Sequence, residues 1–498
     1  MAALARVLRP SLINRQFLYE CSAHDSGPFK VGFCHQPDCH LDNRASPLAA
    51  GPFGGNQLKS TQRKFVIGGA TLSKTGGVRM EPKSASATTA TKASSQDGAT
   101  ATEKSVLVPI ANGSEEMEAV IMIDVLRRAG ADVTVASVEN DLQVTASRGV
   151  KLVADRSIGE CTEQTFDLVV LPGGMPGAER LRDCAELKEI TQKQAARKAL
   201  YGAICAAPAV ALHSWGLLDG KISTAHPAFS DKLPDTSAVE QRVVRDGTVL
   251  TSRGPGTAME YALALVEQLY GKEKAEAVAG PMVMRKGDGS DVFRKDFGVE
   301  TVSVDERPKV LVPVANGSEE MEAVIIIDVL VRAGAEVHVA SIEDSKELVL
   351  SRKVKMVADR SIEDCTSTKY DLIVLPGGMP GAQRLHESAP LDKLLREHVA
   401  ERRLYAAICA APAVALESKG LLKGKKATAH PAFVDKLTDR SAADARVVQD
   451  GLVVTSRGPG TAMEFALVLV ERLFGREKAD AVAGPMVMPK EVVAAAVL

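Results

Sequence analysis

Aromatic residues make up only 4% of this 498-residue chain, with a single tryptophan, Trp215. That scarcity removes the stacking platforms on which single-stranded nucleic-acid binding rests and obliges the core to be aliphatic. Net charge is almost absent as well: 61 Lys and Arg against 63 Asp and Glu leave −2. Such a balance offers no broad basic surface for a nucleic acid or an anionic membrane. No apolar run reaches the roughly 18–20 residues that span a bilayer. Cysteine is sparse, eight in the whole chain. That is no disulfide framework, and it fits free thiols in a reducing compartment.

The first hundred residues differ from the rest, with 12 Lys and Arg against 6 Asp and Glu. The opening stretch carries Arg6, Arg9 and Arg15 and no acid before Glu20. Residues 84–102 are nearly all Ser, Ala and Thr and cannot bury a core. Basic, hydroxyl-rich and acid-poor is the composition of an organellar transit peptide. The expectation for residues 1–103 is therefore a disordered tail with a leader. The expected destination is the chloroplast, with mitochondrion or cytosol as alternatives. Cys34-His35 and Cys39-His40 have metal-binding residue types but no zinc spacing, and no metal site is expected.

The chain is long enough for two or three domains, and an internal repeat says which. Residues 105–137 and 309–341 are identical at 27 of 33 positions. The offset of 204 also relates Cys205 to Cys409, His226 to His430 and Arg253 to Arg457. Each copy is about 180 residues, enough to bury its own core. The expected domains are 104–285 and 309–490. A polar linker, 286–308, joins them, and a short tail, 491–498, follows. Within each copy, buried aliphatic runs alternate with helical spacing. Residues 106–110, 132–137, 167–171 and 200–204 read as strands, and 115–129 as a helix with a cap at Asn112-Gly113-Ser114. This alternation predicts a mostly parallel sheet with helices on both faces. Ligand sites in such sheets lie at the carboxyl ends of the strands.

Three features fall at those ends. Cys205 follows a buried strand and opens a helical stretch, a turn that holds a nucleophile out of the sheet. Backbone N–H groups there, Ala206 included, favour a thiolate and can hold an oxyanion. A buried structural thiol is the plain alternative. Glu115, Glu116 and Glu118 sit in the first turns after the first strand. Acids there are usually partners of the helix dipole. Glu118 borders the buried face, but helical phase leaves open whether it enters a pocket. Desolvated and protonated, it would bond a thiolate and serve as acid and base. His226 in Ser-Thr-Ala-His-Pro is on its own more often a packed loop residue than a catalyst.

Together GSEEMEAVI, VVLPGGMPGA, AICAAPAVAL, TAHP and SRGPGTAME resemble the ThiJ/PfpI superfamily. Within it the chain is similar to the glyoxalase III and Parkinsonism-associated deglycase branch, in its plant tandem form. The resemblance spans both copies. It implies two tandem flavodoxin-like α/β folds, three-layer sandwiches of the class I glutamine amidotransferase kind. It also implies a Cys nucleophile, a protonated Glu bonded to it and a nearby His. These fall on Cys205, Glu118 and His226, and on Cys409, Glu322 and His430. It implies an oxyanion-side glycine at Gly174 and Gly378, beside Ala206 and Ala410. It also places an interface arginine at Arg148 and Arg352, close to the opposite domain's site. Where the family carries a second thiol beside that arginine, Ala146 and Leu350 stand here.

The implied activity is glutathione-independent conversion of methylglyoxal and glyoxal to lactate and glycolate. It proceeds through a Cys hemithioacetal with Glu and His moving protons, and needs neither cofactor nor metal. Deglycation of early adducts would extend the same thiol chemistry. The alternative is an oxidative-stress thiol sensor or holdase with little turnover. Peptidase and amidotransferase readings are disfavoured, since Ala206 and Ala410 follow the cysteines and Pro-Ala follows each histidine. Family homodimers imply that the two domains pair as an internal pseudo-dimer, with the helices around 117–126 and 321–330 as candidate interface. Further oligomerisation remains open. Around the copies Trp215, His213 and Cys184 correspond to Lys419, Glu417 and Ser388, which allows unequal activity.

Overall fold

A computed structural model describes residues 103–302, 304 and 306–489. The expected leader, the Cys34–His40 cluster and the 491–498 tail lie outside the described residues.

The first repeat opens with β1 (Ser105–Ile110), α1 (Glu116–Arg128), β2 (Asp132–Ser137) and the short strands β3 (Gln143–Thr145), β4 (Lys151–Val153) and β5 (Arg156–Ser157). It continues through β6 (Leu168–Leu171), α2 (Gly177–Asp183), α3 (Ala185–Ala196) and β7 (Leu200–Ile204). It closes with β8 (Val243–Asp246), β9 (Val249–Ser252), α4 (Ala258–Tyr270) and α5 (Lys272–Met282). After β10 (Arg294–Phe297), the second repeat follows the same plan. Its elements are β11 (Lys309–Val314), α6 (Glu320–Ala333), β12 (Glu336–Ser341), β13 (Glu347–Val349), β14 (Lys355–Val357), β15 (Arg360–Ser361) and β16 (Leu372–Leu375), then α7 (Gly381–Glu387), α8 (Ala389–Ala400), β17 (Leu404–Ile408), β18 (Val447–Asp450), β19 (Val453–Ser456), α9 (Ala462–Phe474) and α10 (Arg476–Ala483).

Strands in the first sheet run in the order β5-β2-β1-β6-β7-β9-β8. All neighbours are parallel except the edge strand β8, which is antiparallel to β9. Central strands are buried along their length, as Leu168–Leu171 shows, because helices cover both faces. The second sheet repeats this order and adds β10, which pairs in parallel with β18 from Arg294–Val447 to Phe297–Asp450. The segment expected as a linker is thus partly a strand of the second domain. Phe297 packs on Ala442, Ala445 and Val448. Its charged neighbours Arg294, Lys295 and Asp296 suit an edge strand.

Three local expectations need correction or refinement. The cap of α1 is Glu115, whose side chain accepts from Glu118 N at 2.7 Å. Ser114 is unavailable because its Oγ accepts from Ala111 N. The helical stretch after Cys205 is present but wider than an α-helix at its centre: Pro208–Leu212 is a π turn in which His213 N donates to Pro208 O, flanked by Val210 N to Ala206 O and Trp215 N to Ala211 O. No strand precedes His226; residues 221–226 are irregular, with Thr224 N donating to Thr251 Oγ1.

The two repeats pack against each other, as the pairing of apolar helices anticipates. Helix α1 lies on α6, and β4 pairs antiparallel with β14 in the shared sheet β13-β14-β4-β3. Every residue of α1 from Glu116 to Leu126 is buried. One side rests on its own sheet and the other on the second repeat, and a helix covered all round has no polar face.

Candidate active site

Each site forms where β1, β6 and β7, or their counterparts, end. Cys205 follows β7 at a φ of 65°, left-handed backbone that non-glycine residues rarely adopt. Its N–H donates to Ser252 O at 3.0 Å and its carbonyl accepts from His226 N at 2.8 Å, so both flanks of the turn are fixed. The side chain turns toward Glu118, which is wholly buried. The Glu118 carboxyl lies against the Cys205 thiol, and the Gly174 N–H faces the sulfur. Glu118 Oε2 accepts from Gly173 N at 2.8 Å, while the buried Oε1 has no hydrogen-bond partner.

Gly173 is required by closeness. A Cβ added there would stand 2.6 Å from the Cys205 Cβ and 2.9 Å from Glu118 Oε2. Gly174 has a φ of +86°, and a Cβ on it would meet Glu115 N at 2.4 Å. The second site repeats this around Cys409, with Gly377 N at 2.8 Å from Glu322 Oε2 and Gly378 at the sulfur.

Burial pushes Glu118 up from 4.5 to about 7, against the lowering effect of the Gly173 N–H and the thiol. Glu322 is raised to about 7 for the same reasons. Burial also pushes the Cys205 thiol well up, and the Glu118 charge adds to this. The expectation of a freely formed thiolate is therefore too simple. Burial thus favours the protonated form of both the thiol and the carboxyl.

His226 Nε2 lies 2.9 Å from Pro485 O, and Nδ1 accepts from Ala228 N at 3.2 Å. That fixes the tautomer with the proton on Nε2. Desolvation lowers its pKa, so the ring is neutral. Both nitrogens are committed to backbone, and the ring reads as an anchor for the other repeat rather than a proton carrier. His430 bonds Pro281 O and Ala432 N in the same way.

The other repeat supplies further walls. Arg332 Nη2 lies 2.7 Å from Glu115 Oε1 at the first site, and Arg128 Nη2 lies 2.8 Å from Glu319 Oε1 at the second. These two arginines reach the opposite site, a role expected of Arg148 and Arg352. Arg148 instead lines its own repeat's cavity, with its backbone N–H bonded to Glu116 Oε1 at 2.8 Å. Arg352 bonds Glu320 likewise. Sequence reasoning missed Arg128 and Arg332. Their signal was a charge on an otherwise apolar helix with an acid, Asp124 or Asp328, four residues earlier.

The first cavity measures about 250 Å³ and is lined by Gly174, Met175, Ala206, Arg148, Arg332 and Pro485 among others. Cys184, His213 and Trp215 do not line it. Two carboxylate triplets, Glu115 with Glu116 and Asp328, and Asp124 with Glu319 and Glu320, have ligand atoms within 4.8 Å. In each, two of the three acids pair with a guanidinium, Arg332 or Arg128, and the third bonds a serine hydroxyl and an arginine backbone N–H.

Fold and site together define a tandem α/β protein with a buried Cys–Glu pair in each half. The chain belongs to the DJ-1/PfpI family, whose profile matches residues 104–268 and 308–472. It is 53% identical to Protein DJ-1 homolog B of Arabidopsis thaliana over 376 residues, 75% of this chain and 86% of that one. It is 50% identical to Protein DJ-1 homolog A of the same plant, over 76% of this chain and 96% of that one. A glutathione-independent glyoxalase of Caenorhabditis elegans is 34% identical over 37% of this chain and all of its own length.

Proposed function

We propose that the protein is a glutathione-independent glyoxalase that isomerises and hydrates small 2-oxoaldehydes at Cys205 and Cys409. The observation that carries this is the placing of a wholly buried glutamate and a strand-end cysteine around the same glycine in each half. The sulfur adds to the aldehyde carbon of methylglyoxal, and the thiol proton goes to the new hydroxyl, giving a hemithioacetal. The Glu118 or Glu322 carboxylate takes the proton from that carbon. An enediolate forms, the hydroxyl proton passes from the first oxygen to the second, and the same carboxyl returns its proton to the neighbouring carbon. The product is a thioester of lactate, which water hydrolyses to lactate and the free thiol. Glyoxal gives glycolate by the same steps. The protein thiol does the work that glutathione would do, and no step calls for a metal.

A cavity of about 250 Å³ lies below the ~300–1,000 Å³ that drug-sized ligands use, which suits a substrate of two or three carbons. The similarity to a glutathione-independent glyoxalase supports the same reading. In the test, purified protein is incubated with methylglyoxal without glutathione, and lactate is followed. Turnover no greater than that of the Cys205→Ser/Cys409→Ser double variant would overturn the reading. A thiol that peroxide oxidises readily in such an inactive protein would mark it as a redox sensor instead.

A further inference from the structure

The two sites are built alike, but the segments that cover them are held differently. Over the second site, Pro281 O bonds His430, and Val283 O accepts from Arg446 Nη1 at 3.1 Å. Over the first, Pro485 O bonds His226, and Val487 O accepts from Arg242 Nη1 at 3.0 Å. Beyond Val283 the chain stays fastened. Arg285 lies 2.7 Å from Glu464, whose other oxygen accepts from Arg446 Nε at 2.6 Å. Asp291 stands 3.8 Å from Arg446. Arg446 N and Val447 N then donate to Val292 O and Phe293 O, and β10 zips onto β18.

The anchoring pair at the second site is buried, with Arg446 1% and Glu464 5% exposed. Its counterpart at the first, Arg242 with Glu260, is 30% and 43% exposed. Among the described residues it has no further charged partner. Lifting the second cap means peeling a strand away and stripping a buried guanidinium of its carbonyl acceptor. Lifting the first moves charges that water already reaches, and such pairs contribute little.

We propose that the inter-repeat segment makes the two sites unequal in access. It fastens the cap of the Cys409 site, which admits only small free molecules. The cap of the Cys205 site opens, and that site admits bulkier aldehydes. The substrate class rests on the glyoxalase reading; the difference in closure does not.

The test uses the full chain and needs no turnover. Alkylation of each cysteine by iodoacetamide and by a polyethylene-glycol maleimide is timed by peptide mass spectrometry. At one cysteine the ratio of bulky to small reagent cancels that thiol's own reactivity. The ratio should be about tenfold higher at Cys205 than at Cys409, equal to about 1.4 kcal/mol in cap opening. In an Arg285→Ala/Asp291→Ala variant the ratio at Cys409 should rise toward that of Cys205, with Cys205 unchanged. Equal ratios in the wild-type chain overturn the proposal, whether or not the variant folds. So does an unmoved Cys409 ratio in a folded variant. A protein that makes no lactate but shows unequal ratios would fail the glyoxalase reading alone.

Discussion

Cys205 and Cys409 hold a φ of 65°, which costs a non-glycine residue about 1–2 kcal/mol. The return is position: the sulfur lies between a glutamate and a backbone N–H. A glutamine at Glu118 keeps the shape but cannot take a proton. In a Cys409→Ser background, Glu118→Gln should lower kcat/KM for methylglyoxal by about 10²-fold or more. Steady-state lactate formation checks this, and an unchanged value would remove the glutamate from the chemistry. Gly173→Ala puts a methyl group 2.6 Å from the Cys205 Cβ. It should cost about 1–3 kcal/mol in urea unfolding and depress activity at that site, whereas Gly287→Ala, with open space around it, should do neither. The cysteine's place was legible in the sequence, since a buried strand led straight into it. The choice of Glu118 was not, because α1 is buried on every side and helical phase has no wet face to point away from. The histidine's backbone partner was not legible, because the carbonyl that holds it lies 259 residues away.

At the scale of elements, the core strands and the first helix could be read from aliphatic runs and spacing. The pieces that join the repeats could not. Strands β4 and β14 are three residues each, too short for alternation to register, and beyond their hairpin partners β3 and β13 they pair with each other across the pseudo-twofold. Strand β10 reads as Arg-Lys-Asp-Phe, whose charges hide a strand that lies at an edge. Between α1 and α6, Arg332 joins Asp328 on its own helix to Glu115 on the other. Arg332→Ala leaves both acids buried without their countercharge and should cost about 3–5 kcal/mol. Urea titration measures that cost. Activity remaining in the Cys409→Ser background should fall further than in the Cys205→Ser background, because Arg332 borders the Cys205 cavity. Equal losses would mean that the arginine serves only the fold.

For the whole molecule, the buried carboxyls set how stability follows pH. Burial raises Glu116, Glu118, Glu320 and Glu322 from 4.5 to about 7. The folded protein therefore keeps protons that the unfolded chain releases above about pH 4.5. With more protons bound when folded, stability falls as pH rises, the reverse of a salt-bridged carboxylate. The contribution is complete below 4.5 and is lost as pH climbs through about 7. Histidines act the other way over part of this range. His226 and His338 are lowered by burial, and His398 is lowered to about 4. The unfolded chain takes up those protons below the ordinary value of 6.5, so their stabilisation is lost as pH falls. Above 6.5 the histidines fade from the balance, and the raised glutamates, Glu115 and Glu319 among them, dominate it. The thermal midpoint should therefore drop between pH 6.5 and 8. In a Glu116→Gln/Glu320→Gln variant the drop should shrink by about a third, since two of the six raised glutamates no longer titrate. A midpoint that stays level or rises across this interval would mean that the acids around Arg128 and Arg332 are already ionised at pH 6.5.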